Sequence, residues 1–178
     1  MIKNIHKSAI ISSNIRIRSK DFSLGKHSVI DDYSYFSNKK IVISDYTHIG
    51  PHCTFAGGRK SIYIGKHVSL SSKVSIYAQS NDFSNDLVSL YANLVSNKIL
   101  IEGDIIIGDY CGIGAGTIIM PNNILPPGVS IGANSFVPSN FKFESFTLYA
   151  GTPIKPIKKK IKKRIIDQSL QIEKLLNE

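Results

Sequence analysis

One apolar residue in every six constrains this chain more than any other feature. From Ile101 the aliphatic position recurs at Ile107, Ile113, Ile119, Leu125, Ile131 and Val137, with a glycine after it at Gly108, Gly114 and Gly132. Shorter runs hold the same phase earlier, at Leu24 and Ile30, at Ile43, Ile49 and Phe55, and at Ile64, Leu70 and Ile76. A helix spaces its apolar residues three and four apart and a half-buried strand every second residue, so a period of six fits neither alone. A short strand plus a turn satisfies it. Each hexad supplies one inward aliphatic side chain, the small residue after it lets the backbone bend toward the next face, and stacked turns bury a continuous column. The spacing predicts an all-β chain, a parallel β-helix of hexapeptide repeats.

Two further hexad positions follow the same register. The fifth holds small or β-branched residues, among them Ser28, Thr47, Val68, Val74, Thr117, Val129 and Ser135, and both cysteines, Cys53 and Cys111, fall in it. Packed thiols acting as small hydrophobes are the expectation there. The fourth holds His27, Tyr33, Tyr46, His52, His67, Lys73, Tyr110 and Asn134. We read it as an exposed corner, which makes three of the five histidines residues of a repeating structural slot.

The repeat is interrupted three times and then ends. Residues 77–100 have no hexad phase and form a long inserted loop, of the kind that carries function on a rigid scaffold. Smaller slips between Ile30 and Ile43 and between Phe55 and Ile64 predict bulged corners. After Val137 come Phe141, Phe143 and Phe146, and then a basic tail in which Ile157, Ile161, Ile165, Ile172 and Leu176 keep a rough helical spacing. The expected organisation is one domain: a β-helix over 1–153 and a basic amphipathic α-helix within 154–178, starting after Pro156 and covering the open end of the last coil.

No stretch of the 178 residues is apolar over the length a bilayer crossing needs, and the opening MIKNIHKSAIISSNIRIR lacks an apolar block followed by a cleavage site, so a cytoplasmic protein is expected. Of the net charge of +9, residues 155–178 supply +5, from eight basic and three acidic residues. That tail lacks interleaved aromatic residues for base stacking, which argues against a nucleic-acid partner. Its composition suits peripheral contact with an anionic membrane, and a plain solvated surface is the simpler account.

The hexads IGDYCG, IGAGTI and IGANSF and the closing stretch YAGTPIKPIKKK resemble the hexapeptide-repeat acyltransferases, in the branch that includes galactoside, maltose and polysaccharide O-acetyltransferases. The resemblance covers nearly the whole chain. It implies a left-handed β-helix of triangular cross-section, a homotrimer, and acetyl-CoA as donor substrate in the groove between neighbouring subunits, with no metal. Carried onto this sequence, it places Ala150, Gly151, Thr152, Lys155 and Lys158 beside the coenzyme. Its pantetheine arm would pass Gly114, Gly116 and Ala133, and for Gly114 and Gly116 ordinary hexad packing is an equally good account. A glycine that admits backbone amides, followed by lysines, suits the phosphates of CoA.

Acyl transfer also needs a group to deal with the proton of the attacking hydroxyl or amine. Many relatives place a histidine at the start of the long loop. This chain has Gln79, Ser80, Asn81, Asp82, Phe83 and Ser84 there instead. Asp82 is the first candidate to orient the acceptor and take its proton, with Asn81 and Tyr77 binding the sugar, although the NDFSND segment is also good turn chemistry. A carboxylate of ordinary pKa is a weak base for a sugar hydroxyl, and an amine acceptor relaxes that demand. His48, outside the corner slot, is the second candidate, and a surface histidine is the competing account. The expected activity is O-acetylation of a sugar hydroxyl in surface polysaccharide (O-antigen or capsule) synthesis. N-acetylation of a free or nucleotide-linked amino sugar is the alternative, and a non-catalytic trimeric scaffold comes from another class. A zinc enzyme of the same architecture is disfavoured, because His48 and His52 point in different directions in a period of six.

Overall fold

The chain, described by a computed structural model over residues 2–84, 87–89, 91–95 and 100–177, winds through three faces in turn for about seven turns. The first face stacks Ile2–Ile5, Asp21–Leu24, Lys40–Ile43, Ser61–Ile64, Ile105–Ile107 and Ile124–Leu125. The second stacks Ile10–Ile11, Val29–Ile30, His48–Ile49, Ser69–Leu70, Gly112–Ile113, Ser130–Ile131 and Thr147–Ala150, and ends on Lys155–Lys159. The third stacks Arg16–Ile17, Tyr35–Ser37, Thr54–Ala56, Ser75–Tyr77, Ile118–Ile119 and Phe136–Val137. Apart from Lys155–Lys159, each strand bonds in parallel to its neighbours on adjacent turns, as Ile49 does with Ile30 and Leu70. We call the bend between first and second faces the first corner, that between second and third the second, and that between third and first the third.

The hexad register is the core. Ile107, Ile113, Ile119, Leu125, Ile131 and Val137 are all buried, as are the earlier runs from Leu24 to Ile76. Ile101 is the exception: it lies outside the coil, opposite Ser80 in a projecting two-stranded arm. The four-residue strands of the first face add Phe22, Ile41 and Ile62 to the interior, and Phe36 stacks on Phe55 with ring centroids 4.6 Å apart. Each such aliphatic or aromatic side chain contributes about 1.5–3 kcal/mol of burial. The fifth hexad position is buried throughout, and Ser28, Thr47 and Thr117 donate to a carbonyl of the next turn, that of Ser44, Gly65 and Gly132 respectively, whereas Ser135 donates to Gly132 of its own turn. The cysteines use the same slot in the same way, with Cys53 Sγ 3.2 Å from the Ser71 carbonyl and Cys111 Sγ 3.4 Å from that of Pro126.

From the second turn on, the fourth hexad position adopts the left-handed conformation, with φ between 52° and 63° at His27, Tyr46, His67 and Tyr110. That bend superimposes their rings in one column along the first corner, with centroids 5.5, 4.8 and 5.8 Å apart in sequence order. The column is not left to solvent. Helix α1 (Lys162–Asn177) runs back along it: Lys162 sits over the ring of Phe146, Glu173 reaches His67, and Asn177 meets both Tyr46 and Lys26. Sixteen residues of helix span roughly 24 Å, the height of five stacked turns.

This arrangement corrects two expectations about the tail. The helix starts at Lys162 because Lys155–Lys159 first doubles back as an antiparallel strand against Thr147–Ala150. It straps a corner instead of covering the last coil. The coil end is closed by Phe141, Phe143 and Tyr149 in mutual edge-on contact, centroids 4.7 to 5.8 Å apart, with Ile154 buried beside them. The lysines of the final strand blunt its free edge. Lys160 makes the turn into the helix, donating to the Gly128 carbonyl at 2.9 Å and to Ser130 Oγ at 2.6 Å, and the burial of its ammonium lowers its pKa.

Candidate active site

The small residues expected beside the donor are brought together on the second corner of the last three turns. Gly114 lies directly beneath Ala133: a methyl group at Gly114 would stand 2.4 Å from the Ala133 nitrogen, so only glycine keeps the turns at their spacing. Gly116, at φ +71°, faces Asn134 Oδ1. One turn on, Gly151 donates its N–H to Ser135 Oγ at 3.0 Å, and Thr152 Oγ1 donates to the Asn134 carbonyl at 3.1 Å. Ala133, Gly151 and Thr152 are exposed and Ala150 half-buried, which leaves a smooth open strip with no bulky side chain among these residues. Asn134 and Ser135, which fix the strip from below, were read from sequence only as repeat positions. Their separation of 16 to 18 residues from their partners, one full turn, was the available signal.

Lys155 and Lys158 do not act together. Lys155 pairs with Ala150 at the strip end of the last strand, whereas Lys158 pairs with Leu148, about 10 Å along the strand toward the helix. Lys155 alone is beside the strip.

The acceptor candidates sit at the third corner. The long insertion leaves the solenoid there as an arm, in which Gln79–Asn81 pairs antiparallel with Leu100–Glu102 and Gly103 returns its N–H to the Ala78 carbonyl at 3.0 Å. Tyr77 points outward from the last residue of its strand, and Asn81 is half-buried in the arm opposite Leu100. Asp82 follows and forms the expected turn: its Oδ1 accepts from the Ser84 N–H at 2.9 Å and from the Ser84 hydroxyl at 2.6 Å. Those two bonds hold the Asp82 carboxyl below its usual pKa. Asn85 and Asp86, the rest of that turn segment, lie outside the described residues. Ser84, two residues from Asp82, was legible as a turn partner but was not singled out.

His48 does not join this group. It points outward from the second face, which is the face opposite the third corner, and its Nε2 lies 2.8 Å from Asp31 Oδ2. His52 stacks on Tyr33 at the second corner, with centroids 5.0 Å apart. Within one chain His48 therefore cannot reach an acceptor bound at the arm. No three His, Cys, Asp or Glu side chains converge among the described residues. The thiols stay out of the chemistry as well, since burial pushes Cys53 up to about 11 and Cys111 up to about 12.

A small-residue strip on one corner and a carboxylate-bearing arm on another give this solenoid the parts of a group-transfer enzyme. A dTDP-4-amino-4,6-dideoxy-D-glucose acyltransferase of Escherichia coli is 35% identical over 162 residues, covering 86% of this chain and 83% of that protein. AntD, an N-acyltransferase from Bacillus cereus solved in complex with dTDP and 3-hydroxybutyryl-CoA, matches with a TM-score of 0.81 at 30% identity over 98% of this chain and 88% of that one. A hexapeptide transferase family protein from Anaplasma phagocytophilum, 19% identical over 97% of this chain and 87% of its own, shares the fold with a TM-score of 0.71. No family model matches the chain. The chain belongs to the hexapeptide-repeat acyltransferases, with their left-handed parallel β-helix. It is an acyltransferase, and among the described residues no helix is long and apolar enough to cross a membrane.

Proposed function

We propose that this protein transfers an acyl group from a coenzyme A thioester to the amine of a nucleotide-linked amino sugar, working as a homotrimer. The state of Asp82 carries the choice of an amine over the hydroxyl to which the sequence first pointed. A carboxylate held low by Ser84 is a poor base for a sugar hydroxyl, whose proton is lost only far above neutral pH. It is a good partner for an amine. The neutral amine is already nucleophilic, and Asp82 orients it and offsets the positive charge its nitrogen gains on attack. The C–N bond forms as the C–S bond breaks, and the proton given up by nitrogen ends on the departing thiolate. The likeness to an amino-sugar acyltransferase and to an N-acyltransferase supports the same reading.

Where the two halves lie supports a site shared between copies. Strip and arm stand at opposite edges of the third face, roughly 15–20 Å apart across a six-residue side. The arm also exposes Phe83, Leu87, Tyr91, Leu94 and Val95, each at least 69% accessible in the single chain. An arm laid on the strip of a neighbouring copy would cover that apolar surface and complete the site. The acylated sugar, still on its nucleotide, would then be ready for glycosyl transfer into a surface polysaccharide.

The test is turnover by the purified protein with acetyl-CoA, and then 3-hydroxybutyryl-CoA, following release of free coenzyme thiol. Release that requires dTDP-4-amino-4,6-dideoxyglucose and is absent with the matching 4-hydroxy sugar supports the proposal. Turnover of the hydroxy sugar alone restores O-acylation.

A further inference from the structure

We propose that a cationic cleft at the third corner, lined by Arg18, Lys20, Lys39 and Arg59, holds the diphosphate of the nucleotide-linked acceptor; this rests on the nucleotide-sugar reading above. The cleft has a volume of about 400 Å³, and Ser37, Asn38 and Gly58 complete its walls. Its four cations come from three successive turns: Arg18 and Lys20 follow the strand Arg16–Ile17, Lys39 precedes Lys40–Ile43, and Arg59 follows the Gly57–Gly58 bend.

Their neighbours have counter-ions and they do not. Lys40 pairs with Asp21 at 3.3 Å, Lys60 pairs with Glu102 at 3.2 Å, and Asp104 accepts the Ser61 N–H at 2.9 Å. Among the described residues no carboxylate forms an ion pair with Arg18, Lys20, Lys39 or Arg59. Four like charges converging on one cleft repel one another until an anion enters, and two guanidinium forks with two ammonium groups match the oxygens of a diphosphate.

The cleft also faces the acceptor half of the site. Gly58, in its wall, lies against the first residue of the arm: a methyl group there would stand 2.7 Å from Gln79 Oε1. Above the cleft, the outward row at the end of the third face reads Arg18, Ser37, Ala56 and Tyr77 on consecutive turns. Ser37 and Ala56 are small, so the row forms a shallow floor about 14 Å long between the Tyr77 ring and the Arg18 guanidinium. That length suits a hexose joined to two phosphates, with the sugar toward Tyr77, Asn81 and Asp82 and the phosphates in the cleft.

The experiment is isothermal titration of the full chain with dTDP, and separately with coenzyme A, for the wild type and for an Arg18→Gln, Arg59→Gln double variant. The expected result is dTDP binding weakened at least about tenfold in the variant and steeply reduced by added salt in the wild type, while coenzyme A binding changes less than about twofold. Unchanged coenzyme A binding also shows that the variant is folded. Lys39→Gln alone should weaken dTDP binding in the same direction. Unaltered dTDP binding in the double variant would overturn the assignment and leave the nucleotide-sugar reading standing. Loss of coenzyme A binding with dTDP binding intact would reassign the cleft to the donor. A wild type that binds coenzyme A but not dTDP would instead sink the nucleotide-sugar reading itself.

Discussion

His67 Nε2 lies 2.9 Å from Glu173 Oε1, so a ring of the fourth turn is bonded to the far end of the helix that follows the last turn. The histidine side chain is 10% exposed and the glutamate 33%, so the contact is partly shielded from solvent. Glu173→Ala should cost about 0.5–1.5 kcal/mol and speed hydrogen exchange along α1 without touching the first-face amides. Unchanged protection of the helix would mean that the pair contributes nothing to its docking.

Asp82→Asn should lower kcat/KM for the amino sugar by about 10- to 100-fold with no change in melting temperature, because the residue is on the arm and outside the core. Ser84 keeps the Asp82 carboxyl below its usual range, so Asp82 is ionised across neutral pH and kcat/KM rises with pH only as the acceptor amine loses its proton. Ser84→Ala removes both the hydroxyl bond and its effect, moving any acid limb of the profile upward. A profile whose main inflection shifts by a full unit in Asp82→Asn would assign the proton transfer, and not mere orientation, to this carboxylate.

The donor strip allows a paired test of packing against access. Gly114→Ala places a methyl group against the Ala133 backbone nitrogen, which cannot move aside, and should cost about 1–3 kcal/mol by prising two turns apart. Ala133→Leu projects into open solvent, should leave the melting temperature where it is, and should weaken coenzyme A binding about tenfold or more by blocking the strip. Equal coenzyme affinity in wild type and Ala133→Leu would remove the strip from the donor site.

Both thiols should resist modification by a water-soluble disulfide reagent in the native protein at pH 8 and react at once after unfolding. Burial raises their folded pKa values to about 11 and about 12, above the ordinary value near 9. The stability they contribute is complete below pH 9 and is lost as pH climbs through the folded values, since the unfolded thiols ionise first. Cys53→Ser and Cys111→Ser should each cost no more than about 1 kcal/mol, because Ser28 and Ser135 occupy the same slot with a bonded hydroxyl. Fast native labelling, or loss of activity in either serine variant, would contradict a packing role.

The solenoid was legible because a six-residue period repeats one local event many times, and each copy reinforces the reading of the next. It failed at Ile101, where a single isoleucine in the right phase belongs to the arm: phase records spacing and is blind to which backbone carbonyls are free to receive the segment. The tail misled for a similar reason. Ile157 fits a helical spacing with Ile161 and Ile165, yet the strand edge left open at Thr147–Ala150 captured Lys155–Lys159 before a helix could start. The strip residues were readable through the resemblance, and their supports Asn134 and Ser135 through the turn length. Within one chain His48 lies away from the arm and Lys158 away from the strip, because sequence gives a residue's position along the coil but not which corner a partner group will occupy. The four cations of the cleft are scattered over 42 positions, from Arg18 to Arg59, and converge only when three turns are stacked.

A solenoid ordinarily binds each turn only to its neighbours, so its ends can fray while its middle holds. The helix that lies along the aromatic column changes that, because Lys162 is anchored at Phe146 and Asn177 at Lys26 and Tyr46. Turns that share no strand contact thus lose or keep their structure together. The segment that fastens the second and third turns comes after every turn of the coil in the sequence, so the coil can wind before it but becomes a single cooperative unit only once the helix has docked.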